Sequence, residues 1–277
     1  MDLPPNRLKQ ELTLGAALLW MWVVIPWHGI VEVIGNCGVD GVIIDLEHTT
    51  MSMRELEQLL LAAKAAGLRT LVRPTDINNP EITRILDAGA DGIAFPHVEN
   101  GELAERARKS LKYPPRGSRG WGGAHIRRTA WTGSTVASQG DQAFASDGVY
   151  TESYVEWAED VVSLFLVESR EGVENIDEIL DRGRPDVVSF GMGDYSVEVR
   201  FDRDSCKAAA EKVHETCRGR GIGVAMPAQQ SDRLTEFYPG CMYYVGVDVS
   251  IASEAISSEV HRSRFALSQS DQSELWQ

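Results

Sequence analysis

The chain has 277 residues, 43% of them hydrophobic and 25% charged, the make-up of a globular protein and not of a disordered or fibrous one. Asp and Glu (41) outnumber Lys and Arg (27), giving a net charge of −14; that field repels phosphate backbones and anionic lipid and disfavours nucleic acid and membranes as partners. The four cysteines, Cys37, Cys206, Cys217 and Cys241, show neither a C-x-x-C pair nor zinc-type spacing, which points to a reducing, cytoplasmic setting.

From Leu12 to Val31 no Asp, Glu, Lys or Arg occurs, and Arg7 and Lys9 precede the stretch in the manner of a signal sequence or membrane anchor. Pro26, His28 and Gly29 interrupt it and no small-residue cleavage site follows, so a buried first strand over 14–24, leading into a helix, is the expected reading. Further strands are expected over 41–45, 69–73, 92–96, 163–168, 186–190, 221–225 and 242–247. Each is a continuous apolar run without alternation, the pattern of parallel strands covered on both faces. Between them, Ser52-Met53-Arg54-Glu55 forms a capping box ahead of Leu56, Leu59 and Leu60, and Asn79-Pro80-Glu81 supplies a cap, a first-turn proline and an acidic first turn. Gly67 and Gly89 close those two helices. About eight strand–helix units predict a (β/α)8 barrel, one domain over 1–277, with a doubly wound open sheet as the alternative. The polar, Gly-rich stretch 113–147 is expected as a long loop over one face, and residues from about 268 as a frayed tail.

In a parallel barrel the chemistry sits where the strands end. The expected strands end in Asp45-Leu46-Glu47-His48, Arg73-Pro74, Pro96-His97, Glu168-Ser169-Arg170, Gly191-Met192-Gly193-Asp194 and, for the last, near Asp248. Glu168 and Asp194 follow neighbouring strands; they either share one hard divalent cation or cap the helices that come next. Arg73 suits an oxyanion beside such a cation, or else a structural ion pair in the barrel mouth. His48 is a candidate acid/base group if a carboxylate orients its second nitrogen, with Asp87 or Asp45 as the candidate. No G-K-[ST], strand-linked G-x-G-x-x-G or G-x-S-x-G is present, and no lysine ends a strand. Those absences argue against nucleotide binding, serine-hydrolase chemistry and a Schiff-base aldolase.

Seven segments in order resemble the HpcH/HpaI family of metal-dependent (class II) pyruvate aldolases: Gly38-Val-Asp-Gly-Val-Ile-Ile-Asp-Leu-Glu-His48, Leu71-Val-Arg-Pro74, Ile85-Leu-Asp-Ala-Gly89, Tyr113-Pro-Pro-Arg-Gly-Ser-Arg-Gly120, Val167-Glu-Ser-Arg-Glu-Gly172, Gly191-Met-Gly-Asp-Tyr-Ser196 and Val245-Gly-Val-Asp248. The resemblance implies a (β/α)8 barrel that joins or splits pyruvate and an aldehyde, assembled as a trimer or hexamer with the last helix packed on a neighbouring subunit. It implies a divalent cation (Mg, Mn or Co) on Glu168 and Asp194, and Arg73 on the keto oxygen and enolate. It makes His48 and Asp87 an acid/base dyad with Asp45 beside it, and it places Trp22 and the Met192-Gly193-Asp194 turn against the 2-oxo acid. The chain departs from the family where Leu166 replaces a glutamine, where Met192-Gly193 replaces Pro-Ala, and at Pro26-Trp27-His28, where relatives carry small hydroxyl residues. These departures keep two alternatives open: decarboxylation of oxaloacetate or a related 2-oxo diacid, and a non-catalytic barrel that binds a small acid.

Overall fold

The computed structural model describes residues 5–121, 152–228 and 240–270. Strands β1 (Leu18–Val23), β2 (Gly41–Asp45), β3 (Arg69–Arg73), β4 (Gly92–Phe95), β5 (Val162–Val167), β6 (Val187–Phe190), β7 (Gly223–Pro227) and β8 (Met242–Val247) pair in parallel, in sequence order, and close on themselves. Closure sets aside the open sheet. Helices α1 (Arg7–Thr13), α2 (His28–Asn36), α3 (Met53–Ala65), α4 (Asn79–Asp87), α5 (Gly101–Ser110), α6 (Glu152–Ala158), α7 (Arg170–Glu174), α8 (Ile176–Gly183), α9 (Met192–Glu198), α10 (Arg203–Gly219) and α11 (Asp248–Ser270) complete the (β/α)8 architecture.

The apolar runs are continuous because each strand is buried twice. Trp20, Ile43, Leu71, Leu164 and Met242 fill the barrel interior, while Ile44, Val72, Ile93, Phe165 and Val188 pack outward against Leu59, Ile82, Ile85 and Ile179 of the helices. Strands approach closely enough that a Cβ at Gly92 would sit 2.1 Å from the Val162 carbonyl oxygen. The expected capping box is present: Ser52 accepts from Glu55 N–H, and the Glu55 carboxylate accepts from Ser52 N–H.

Several boundaries differ from expectation, the fourth, fifth and sixth strands by one residue. The first strand starts at Leu18 and not at residue 14, because Leu14 ends α1 and Gly15 turns the chain with φ +78°. That unexpected first helix plugs the amino-terminal mouth of the barrel. Leu8 is fully buried in the interior cluster, and the Asn6 side-chain amide donates to the carbonyls of Asp91 and Asp160 just ahead of β4 and β5. The cap of α4 is Asn78, one residue before the expected Asn79, and its side chain makes no capping bond. The seventh strand runs two residues later than expected, since Gly221 still belongs to the left-handed turn after α10. The tail expected from 268 is helical through Ser270, and residues 122–147 of the expected loop lie outside the described residues. No helix among the described residues is long and apolar enough to cross a membrane.

Candidate active site

The carboxyl ends of the strands gather charged side chains at one rim. Parallel register places Asp45 opposite Arg73, and the Asp45 carboxylate accepts from Nε (2.8 Å) and Nη2 (2.7 Å) of the guanidinium. Asp45 is 2% exposed and Arg73 11%, so this bidentate pair is strong for want of competing water. The remaining edge, Nη1, lies 3.0 Å from Glu47 Oε2, an ion pair without hydrogen-bond alignment. The Trp22 ring covers the guanidinium carbon at 4.7 Å and is braced by Tyr244, ring to ring at 5.7 Å. Burial draws the Arg73 pKa down, but the hydrogen bonds and charge of Asp45, then the charges of Glu47 and Glu168, outweigh it and leave the group above its ordinary value.

Glu168, directly after β5, is 4% exposed, and its Oε1 accepts the His97 N–H at 2.8 Å. Burial raises its pKa, and the negative charges of Asp194 and Glu47 add to that against the opposing contacts of His97. Asp194 stands exposed in the first turn of α9. The N–H groups of Met192, Gly193 and Asp194 in that turn have no acceptor inside the helix. Around Arg73 the rim therefore carries Asp45, Glu47, Glu168 and Asp194, an excess of carboxylate that suits a hard cation with oxygen ligands. Among the described residues no group of three or more His, Cys, Asp or Glu is arranged to hold an ion alone; Glu168 and Asp194 would supply two ligands and leave the rest to water and substrate.

His48 lies at the same rim, 59% exposed, with Nε2 at 3.6 Å from Glu47 Oε2. The expected His48–Asp87 dyad does not form within the chain. Asp87 is the last residue of α4, and in this fold helices run back from the strand ends, so it sits at the opposite face of the barrel. There its Oδ1 accepts from Arg119 Nη2 at 3.0 Å, while Arg119 Nη1 donates to the Ala158 carbonyl ahead of β5. Arg119 is 1% exposed, and a guanidinium so buried demands a counter-charge. Helix direction, readable from the strand–helix order, would have separated Asp87 from His48 in advance. Asp248 has a structural place as well: it accepts from Val24 and Ile25 N–H and ties β8 to the end of β1.

Two residues matter more than their sequence positions announced. Glu47 and His97 were visible among the strand-end residues, yet only the structure joins them: His97 Nε2 is 2.8 Å from Glu47 Oε1 and its Nδ1 is 3.3 Å from Glu168 Oε1.

The family model described as HpcH/HpaI aldolase/citrate lyase matches residues 18–253. The 2-keto-3-deoxy-L-rhamnonate aldolase of Escherichia coli K12 is 25% identical over 262 residues, 92% of each chain. Two solved structures share the fold at 24% identity: an HpcH/HpaI aldolase from Desulfitobacterium hafniense DCB-2 (TM-score 0.75; 92% of this chain and 95% of its own) and macrophomate synthase (TM-score 0.78; 97% and 93%).

Proposed function

The chain belongs to the HpcH/HpaI aldolase/citrate lyase family, and from that premise we propose that it is a divalent-metal-dependent lyase making or breaking the carbon–carbon bond between pyruvate and an aldehyde. The family and the E. coli relative make it a lyase of the aldolase type acting on a 2-oxo acid. The cation, the 4-hydroxy-2-oxo acid substrate and the residue roles are our reading. One observation carries it: Arg73, held by Asp45 and Glu47, lies at the same strand-end rim as the buried carboxylate Glu168.

Glu168 and Asp194 would hold the cation, Mg, Mn or Co, which when bound would draw electron density from the keto and carboxylate oxygens of the 2-oxo acid. Arg73 does what a fixed donor can: Asp45 occupies two of its five N–H groups, and those left over meet charge developing on the keto oxygen as the enolate forms. Trp22 keeps water from the face of that guanidinium. The unpaired amides of Met192, Gly193 and Asp194 form a donor edge for the pyruvate carboxylate. His48, exposed at the rim, exchanges the proton of the C4 hydroxyl. Asp87 of the same chain cannot orient it, so a His48–Asp87 pairing would have to join neighbouring subunits. Four free cysteines suit a reducing cytoplasm.

Pyruvate release from a panel of 4-hydroxy-2-oxo acids, measured beside carbon dioxide release from oxaloacetate, tests the proposal. Metal-replete protein is expected to release aldehyde and pyruvate, and chelator-treated protein to lose that activity. Equal rates with and without chelator would sink it, while carbon dioxide as the main product would favour the decarboxylase reading. Acid binding without any turnover would favour the non-catalytic one.

Assembly as a trimer or hexamer is supported by α11. Its Val249, Ile256, Val260 and Leu267 fall on one stripe at helical spacing and are 49%, 65%, 45% and 65% exposed in the single chain. Light scattering on the native protein is expected to give a multiple of 30.6 kDa. Ile256→Asp with Leu267→Asp should return it toward a monomer; an unchanged mass would remove α11 from the interface.

A further inference from the structure

His97 stands directly after the turn that ends β4, with φ +49°, a conformation that a residue with a side chain holds when its surroundings over-determine it. Here the surroundings are two carboxylates. The backbone N–H donates to Glu168 Oε1 at 2.8 Å, and Nδ1 lies 3.3 Å from the same oxygen. Nε2 lies 2.8 Å from Glu47 Oε1, whose other oxygen faces Arg73. The second oxygen of Glu168, Oε2, faces β6 instead. A Cβ at Gly191 would come within 2.3 Å of the Glu168 Cβ and 2.6 Å of this oxygen, so the glycine is what lets the Glu168 side chain lie against the start of the turn that bears Asp194.

We propose that His97 is a positioning residue that saturates Oε1 of Glu168, so that this carboxylate offers Oε2 alone to the divalent cation it shares with Asp194. This rests on the reading of Glu168 and Asp194 as the cation's ligands. A carboxylate with both oxygens free turns readily into a two-oxygen chelate, which large, flexible coordination shells such as that of calcium accept. A carboxylate pinned by one oxygen gives a single short contact, the mode that small octahedral cations require. Through Glu47 the same imidazole keeps that carboxylate in step with the guanidinium of Arg73, so cation and enolate sites are set by one chain of contacts, Glu168–His97–Glu47–Arg73–Asp45.

Titration calorimetry of the full-length protein, stripped by chelator and titrated with manganese or calcium chloride, tests this without any turnover. His97→Gly keeps the backbone N–H and relieves the left-handed conformation, so it should melt no lower than wild type. It loses only the side-chain contacts with Glu168 Oε1 and Glu47, so it is expected to bind manganese about 10-fold more weakly, the lower end of the cost of removing a partner of a metal ligand, and to discriminate less against calcium. His97→Gln, which retains a side-chain donor, should fall between the two. Equal manganese affinity in all three proteins overturns the proposal. If His97→Gly fails to fold, the comparison of wild type with His97→Gln decides it in the same way. Wild-type protein that binds no manganese would instead overturn the ligand assignment on which the proposal stands.

Discussion

Arg73→Ala is expected to lower kcat by about 10²–10³-fold, the cost of losing one donor aimed at a developing oxyanion in a water-poor site. The site geometry makes the expectation specific. Asp45 holds the guanidinium by two hydrogen bonds, Glu47 faces its third edge and Trp22 covers one face, so no side-chain rotation can substitute for the missing group. Alanine also strands a carboxylate that is 2% exposed, and breaking a buried pair from one side costs about 3–5 kcal/mol. Arg73→Lys is therefore the better probe. It keeps the positive charge and with it most of the fold, but one ammonium cannot bind Asp45 with two parallel bonds and still reach substrate. Steady-state kinetics beside thermal unfolding should show near-native melting and a rate close to that of the alanine variant. Native turnover in the lysine variant would remove Arg73 from its assigned role.

Glu168→Gln should combine lost activity with gained stability. The amide keeps the shape of the carboxylate, and its oxygen can still accept the His97 N–H, but it contributes no charge to a cation. Loss of the several kcal/mol that a bound cation supplies corresponds to about 10³-fold in rate, and activity assays over a range of metal concentrations check this. Without metal the sign reverses for folding. Burial, with the charges of Asp194 and Glu47, holds the folded pKa of Glu168 above its ordinary 4.5, so ionising this group costs more in the folded state than in the unfolded one. Its contribution to stability is complete below the unfolded value and is lost as pH rises through the higher folded value. In chelator at neutral pH the glutamine variant is therefore expected to melt above wild type, and wild type alone should recover on adding a divalent cation. A glutamine variant that melts below wild type in chelator would mean that the carboxylate is already compensated by its neighbours.

In both cases a stability cost would be concentrated at the proposed ligand site, as is usual for functional sites. The barrel interior shows the contrast. Trp20, Ile43 and Leu71 are fully buried among apolar neighbours, whereas one layer nearer the mouth the inward positions are Trp22, Asp45 and Arg73.

The sequence by itself determined the barrel and the strand ends, because strands buried on both faces must read as unbroken apolar runs and the first polar residues after them must lie at the rim. Asp45, Arg73, Glu168 and the Gly191–Asp194 turn were all legible on that ground. The α1 plug was hidden, because only Leu8 of that short helix is buried and one apolar residue sets no periodicity. The tertiary structure alone decided which charged groups meet. Arg119 finds Asp87 across 32 residues, and His97 joins Glu168 across 71. Such pairs depend on strand neighbourhood, on helix direction and, at His97, on one left-handed residue. None of these leaves a local pattern along the chain, since a side chain's partner is chosen by the closed sheet and not by its distance in sequence.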